Sequence, residues 1–408
     1  VVVLITGIMV MVRRVPTAEA GPPGAVRDAP LIGILAGEAS GDRLGRGLMV
    51  ALKARFPAAR FVGIGGVGMQ AAGLESLAAM DRLAVNGFID PIRRLPDLLR
   101  IFRQLLDGFA RERPDLFIGV DFNVFNLLLE RRLKRRGVPT VHYVSPSVYA
   151  WRRGRADRLG RAADLLLTLY PFEPAFYAHT PLRAVFVGHP LADEIAPDCG
   201  APPQRQAARR SLGLPAEAMV IALLPGSRMA EVRLLGHTLL GAAALIAARR
   251  PAARFVVPCL DGRIRGWLTD ALRAWPGLQV TVDEGDARRA LIACDAALVK
   301  SGTSTLEAML VGRPMVVCYR LGRVSYQLAR RLVRTEFVAL PNILAGRRLV
   351  PELLQDAATP AALADALLRE LDKAGAEPEY LAAFRHLHAT LRRNADGCAA
   401  EAVAALLP

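Results

Sequence analysis

What most limits the folding of this chain is a rhythm. From Leu31 onward, short apolar runs alternate with longer segments of helical pattern, and the whole alternation occurs twice. Such runs read as strands buried on both faces, and strands alternating with helices predict parallel sheets with crossover helices. Strands are expected at Leu31–Ala36, Arg60–Ile64, Leu116–Val120, Thr140–Val144, Leu165–Leu169 and Ala184–Val187, with helices at Arg43–Arg55, Pro96–Arg111 and Asn123–Arg136. A Pro-rich stretch without pattern, Pro190 to Pro215, separates them from a second series: Val220–Leu224, Arg254–Pro258, Gln279–Val282, Ala296–Val299 and Met315–Cys318. A helical tail, Tyr380–Arg393 and Ala395–Leu407, has no strand after it. The predicted class is α/β, two Rossmann-like doubly wound domains facing a cleft, because open sheets of this kind bind ligands at their strand carboxyl ends. Residues 1–28 are expected to be a non-core extension, 29–192 and 193–375 the two domains, and 376–408 the tail.

Composition narrows the function. The 408 residues are 52% hydrophobic and 22% charged, enough for two ordinary cores. A net charge of +15 favours polyanions, anionic membrane surfaces or phosphorylated substrates. The basic residues are dispersed in pairs such as Arg131-Arg132, and no recognised nucleic-acid motif accompanies them, so no nucleic-acid partner is expected. Five cysteines lie far apart with no C-x-x-C, which indicates neither a zinc site nor a disulfide framework and fits a reducing cytoplasm. The apolar opening, Val1 to Val12, is shorter than the ~18–20 residues that span a bilayer.

Several strand-to-helix loops carry chemistry. After the first strand comes Gly37-Glu38-Ala39-Ser40-Gly41-Asp42, where Ser40 or Asp42 is expected to cap the next helix. Glu38 stands at a strand's carboxyl end without an evident packing reason. Asp121 ends Leu116–Val120 and has two readings, a general base with a pKa lifted by desolvation or the N-cap of the following helix. The strand holding His142 runs into Ser145, Ser147, Tyr149 and Trp151, a mixture of hydroxyls and rings suited to sugar, although a strand histidine is more often a satisfied core residue. In the second half, Gly226-Ser227-Arg228 offers backbone, hydroxyl and guanidinium donors to a diphosphate. Ser301-Gly302-Thr303-Ser304 leads into a helix with Glu307 about one turn in, which suits either a ribose or a capping box. No G-x-x-x-x-G-K-[ST] is present, against an ATPase reading, and no D-x-D, so neither a metal nor a cofactor is expected.

Together, Ala36 to Asp42, His142 to Val148, Leu224 to Arg228, Ser301 to Glu307 and Leu340-Pro341-Asn342 resemble the lipid-A-disaccharide synthase family, in order from about Leu31 to the C-terminus. The resemblance implies two Rossmann-like domains and an inverting transfer. UDP-2,3-diacylglucosamine is the donor, 2,3-diacylglucosamine 1-phosphate the acceptor, and UDP and a β-1,6 disaccharide the products. It implies that the second domain holds UDP, that Asp121 is the candidate base, that Glu38, in the acceptor-side loop, is catalytic beside it, and that Arg228, Glu307 and Asn342 serve UDP or activity. It also implies a homodimer and a cytoplasmic enzyme peripheral on the inner membrane. Where the family usually reads Asp, a small residue and Pro-Asp-Phe-Asn, this chain has Asp121-Phe122-Asn123-Val124-Phe125-Asn126; Asp121 and Asn126 survive. Asn86 replaces a residue that is commonly apolar.

Two rivals stay open at this level: another UDP-sugar enzyme of the same fold, such as an epimerase or a transferase with a soluble acceptor, and a non-catalytic nucleic-acid-binding protein. For membrane contact, the stretch Leu83–Leu106 places Leu95, Leu98, Leu99, Phe102, Leu105 and Leu106 at helical spacing among arginines. That pattern suits an interfacial helix as well as a helix facing the core.

Overall fold

The computed structural model describes residues 29–83, 95–146, 154–322, 326–327 and 335–407. Residues 1–28, Asn86, Ser147, Tyr149 and Trp151 lie outside the described residues. The chain divides into two compact units. The first runs through to Pro190 and includes Arg393–Pro408; the second is Leu191–Arg392.

In the first unit the order is β1 (Leu31–Ala36), α1 (Ala39–Arg55), β2 (Arg60–Ile64), α2 (Val67–Ala71), β3 (Leu74–Ser76), α3 (Leu95–Glu112), β4 (Leu116–Val120), α4 (Asn123–Lys134), β5 (Thr140–Tyr143), α5 (Gly154–Gly160), β6 (Leu165–Thr168) and β7 (Arg183–Phe186). The strands form one parallel sheet in the order β3-β2-β1-β4-β5-β6-β7. Both faces are covered. Ile32 and Ile34 pack with Leu48, Leu52, Ala399 and Val403 on one side, while Leu31 and Leu35 meet Phe102, Leu105, Phe109 and Phe117 on the other. Each such large side chain withdrawn from water contributes roughly 1.5–3 kcal/mol.

The stretch Pro190 to Pro215 proves structured: α6 (Pro190–Glu194) and α7 (Pro202–Ser211) both begin on proline. Proline is favoured at the first helical position, where its missing N–H would find no intrahelical acceptor. The second unit continues with β8 (Val220–Leu224), α8 (Met229–Arg249), β9 (Arg254–Pro258), α9 (Gly262–Leu272), β10 (Val280–Asp283), α10 (Ala287–Ala293), β11 (Ala296–Lys300), α11 (Thr303–Leu310), β12 (Met315–Tyr319), α12 (Leu340–Ala345), β13 (Glu352–Leu354), α13 (Pro360–Ala376) and α14 (Pro378–Leu391). Its parallel sheet runs β10-β9-β8-β11-β12-β13. The last helix, α15 (Ala395–Ala404), returns to the first unit and packs on α1.

Two expectations about apolar helices are resolved by packing. The stripe of α3 faces its own sheet: Leu98, Phe102, Leu105 and Leu106 are buried in the core and Leu99 packs against it, so this face is not an interfacial surface. Among the described residues, α8 is long and apolar enough to cross a membrane. Its Val232, Leu235, Leu239 and Ile246 are buried against the second sheet and α13.

Candidate active site

Each sheet reverses its strand order once, between β1 and β4 in the first unit and between β8 and β11 in the second. Ligands of open α/β sheets bind beyond the strand carboxyl ends at such points. The second is an open cavity of about 520 Å³, lined by Pro225–Arg228 after β8, by Lys300 at the end of β11 and by Gly302, Thr303, Ser304 and Glu307 beyond it. The two phosphate-suited loops, 75 residues apart in sequence from Gly226 to Ser301, therefore share one wall.

Four helices point their N-termini into this cavity's lining. Two are closed by carboxylates. Asp261 accepts the Arg263 amide at 2.7 Å to cap α9, and Asp286 accepts the Arg289 amide at 3.1 Å to cap α10. The Arg263 guanidinium, 3.1 Å from Asp261, also holds that carboxyl below its usual range. The other two, α8 and α11, have no side-chain cap. Gly302 is the N-cap of α11, so the capping box expected from Thr303 or Ser304 with Glu307 does not form. Helix starts left open in this way present N–H groups and the positive end of the dipole to an anion. Arg228 is the exposed N-cap of α8, and Lys300 pairs with Glu231 at 2.9 Å in the cavity wall. Gly226 has φ +124°, and a Cβ there would meet a Glu231 carboxylate oxygen at 2.4 Å, so glycine is required.

The first switch point is built differently. Ala36 and Val120 are neighbours across β1 and β4, which brings the loops bearing Glu38 and Asp121 side by side. Glu38 is exposed and forms the backbone N-cap of α1 without a side-chain cap bond. Helix α1 begins at Ala39, four residues earlier than expected, so Ser40 and Asp42 are inside its first turn rather than before it. Ser40 is exposed. The Asp42 carboxylate instead accepts the amides of Gly66, Gly68 and Met69 at 2.7, 2.9 and 3.0 Å, which fixes the loop before α2.

Asp121 is not the N-cap of α4; that position is Phe122. Both residues have left-handed backbones, φ +49° and +47°, a conformation that costs non-glycine residues about 1–3 kcal/mol each. The Asp121 amide donates to Tyr143 O at 2.8 Å, and its carbonyl accepts from Asn126 Nδ2 at 2.8 Å. The Phe122 ring lies where a Cβ on Gly37 would stand, 2.5 Å from its Cγ. This bulky residue thus seats on the loop that carries Glu38.

Several expected substrate contacts turn inward. Asn126 and His142 are fully buried; Asn126 holds backbone carbonyls, and His142 Nδ1 lies 2.7 Å from Glu130. Ser145 is buried with its hydroxyl 2.8 Å from Tyr177. In the second unit Asn342 is buried, accepting from Leu349 and Val350 amides and donating to Glu352, while the Ser301 hydroxyl donates to Val338 O. Each of these five makes a side-chain hydrogen bond inside the protein. Sequence reasoning missed Glu130, Lys300, Glu231, Asp261 and Asp286. Only the last two left a local sign, an aspartate directly before a helix.

The family described as lipid-A-disaccharide synthetase matches residues 32–403. The chain belongs to this family. A lipid-A-disaccharide synthase of Pseudomonas aeruginosa is 47% identical over 380 residues, 93% of this chain and 99% of the relative. One of Sodalis glossinidius is 49% identical over 377 residues, covering 92% and 98%. Among solved structures, a glycosyltransferase of kitacinnamycin superposes with a TM-score of 0.60 at 18% identity, covering 93% of this chain and 99% of that one. That likeness carries the fold alone, two Rossmann-like domains of the GT-B type. As a lipid-A-disaccharide synthase, the protein is a glycosyltransferase of lipid A biosynthesis, and the epimerase and nucleic-acid-binding readings are not favoured.

Proposed function

We propose that the protein joins UDP-2,3-diacylglucosamine to 2,3-diacylglucosamine 1-phosphate with inversion, using the cavity of the second unit for UDP and the first switch point for the acceptor. The observation that carries this reading is the pair of uncapped helix starts, α8 and α11, sharing one cavity with Arg228 and Glu307. Gly226, Ser227, Gly302, Thr303 and Ser304 serve the diphosphate with backbone and hydroxyl donors. Arg228 takes its growing charge, and Glu307 receives the ribose hydroxyls. Loss of one such preorganised donor costs roughly 3–4 kcal/mol in the transition state. Asp121 removes the proton from the acceptor 6-hydroxyl as that oxygen attacks the anomeric carbon from the face opposite UDP. Glu38 and Ser40, exposed on the adjoining loop, bind the acceptor.

The protein works as a homodimer in the cytoplasm, peripheral on the anionic inner membrane, with its net charge of +15 supplying the attraction. Vesicles of anionic lipid should retain it at low salt and release it at high salt; no retention at low salt removes the membrane assignment. Incubation with both acylated substrates, without added metal, tests the reaction itself. UDP and disaccharide should appear together in equal amounts, whereas UDP without disaccharide, or neither, defeats the assignment.

A further inference from the structure

We propose that Asn126, Glu130 and His142 form a positioning device for the Asp121 turn, a buried polar array that holds this carboxylate in its left-handed setting. The inference rests on the reading of Asp121 as the base.

The turn is gripped on both sides. On the carbonyl side, Asn126 Nδ2 reaches Asp121 O at 2.8 Å, Val120 O at 3.3 Å and Leu35 O at 3.4 Å, joining the ends of β4 and β1 through one amide. On the amide side, Asp121 N donates to Tyr143 O, and the residue before Tyr143 in β5 is His142. His142 is in turn bound to Glu130 at 2.7 Å. Asn126 and Glu130 are one helical turn apart on α4 and share a face. Both press on Gly119 of β4, where a Cβ would meet Glu130 Oε1 at 2.2 Å and Asn126 Cβ at 2.9 Å. The array therefore touches β1, β4 and β5 together at the point where Asp121 leaves the sheet.

Stability alone is a poor reason for it. All three residues are fully buried, and among the described residues Asn126 Oδ1 and Glu130 Oε2 have no hydrogen-bond partner. An apolar core in the same volume would avoid that desolvation. Burial also pushes the Glu130 carboxyl above its ordinary range, against the pull of His142. A strained backbone, however, persists only where its surroundings over-determine it.

The test is a double-mutant cycle on the full chain. Asn126→Ala should lower kcat about 100-fold, the scale of a small misplacement of a reacting group, with UDP affinity little changed. Added to Asp121→Asn, assayed at high enzyme concentration, it should cost nothing further, because the residue it positions is gone. Glu130→Ala should likewise lower kcat at unchanged KM for the donor, and Glu130→Gln, which keeps the contact with His142, should recover most of the loss. The Glu130 pair decides the matter if Asn126→Ala does not fold. A full multiplicative loss on top of Asp121→Asn, or wild-type kcat in both alanine variants, overturns the positioning device while leaving the base standing. Wild-type turnover in Asp121→Asn removes the base, and the positioning role with it.

Discussion

The two switch points occupy equivalent places in their sheets and are made from opposite materials. At the second switch point the irregular backbone falls on Gly226 and Gly302, the starts of α8 and α11 carry no side-chain cap, and the loop residues Ser227, Arg228, Gly302 and Thr303 are exposed. At the first switch point positive φ falls on Asp121 and Phe122, neither of them glycine, beside buried Asn126, Glu130 and His142. A cradle for phosphates needs amides that a ligand can reach, which glycine loops and uncapped helices supply. On the proposed reading a base needs one carboxylate in one place, which a left-handed turn held by buried partners would supply.

The comparison breaks most sharply at Asp121. Asp121→Asn should lower kcat about 1000-fold, within the range of general-base contributions, with UDP affinity unchanged by calorimetry. Weaker UDP binding in this variant would mean that the two sites are not divided as described. A smaller effect belongs to the cradle. Gly226→Ala, strained at φ +124° and crowded by Glu231, should weaken UDP binding about tenfold while leaving Asn126 and Asp121 backbone amides unchanged in hydrogen exchange. Wild-type UDP affinity would show that the loop is not the cradle.

The smallest effect concerns the buried polar groups of the first unit. Glu173 accepts the amides of Leu169 and Tyr170 at 3.1 and 3.0 Å, and burial raises its carboxyl pKa to about 8. An unfolded glutamate titrates near ~4.3, so between that pH and about 8 the folded chain keeps a proton that the unfolded chain has lost. The stabilisation is complete below the unfolded pKa and disappears as pH rises through the folded one. From pH 5 to pH 8 the thermal midpoint of the first unit should fall about 5 °C more in the wild type than in Glu173→Gln. Equal slopes would show that Glu173 ionises normally in the fold.

Much of this was legible in the amino-acid order. Leu31–Ala36 and Leu116–Val120 are continuous apolar runs because both faces of their strands are covered, and they read as strands at their true bounds. The same holds for Val220–Leu224 and Arg254–Pro258. The loops at Gly226 and Gly302 were equally visible, since small residues between a strand and a helix are a local pattern. The edge strands β3 and β13 were not, because three residues are too few to establish a period. The structured stretch after Pro190 was hidden by prolines that open helices instead of breaking them.

What the sequence by itself determined was the class of fold, the family and the small-residue loops that line the cavity of the second unit, all of which depend on neighbours a few positions apart. Tertiary structure decided which polar residues face outward. Asp42 finds its partners 24 to 27 residues away, Asn126 reaches back 91 residues to Leu35, and Glu130 meets His142 across a strand boundary. A polar side chain is committed by whichever donor or acceptor the folded backbone brings within reach, and for these residues that partner is fixed only when the strands assemble.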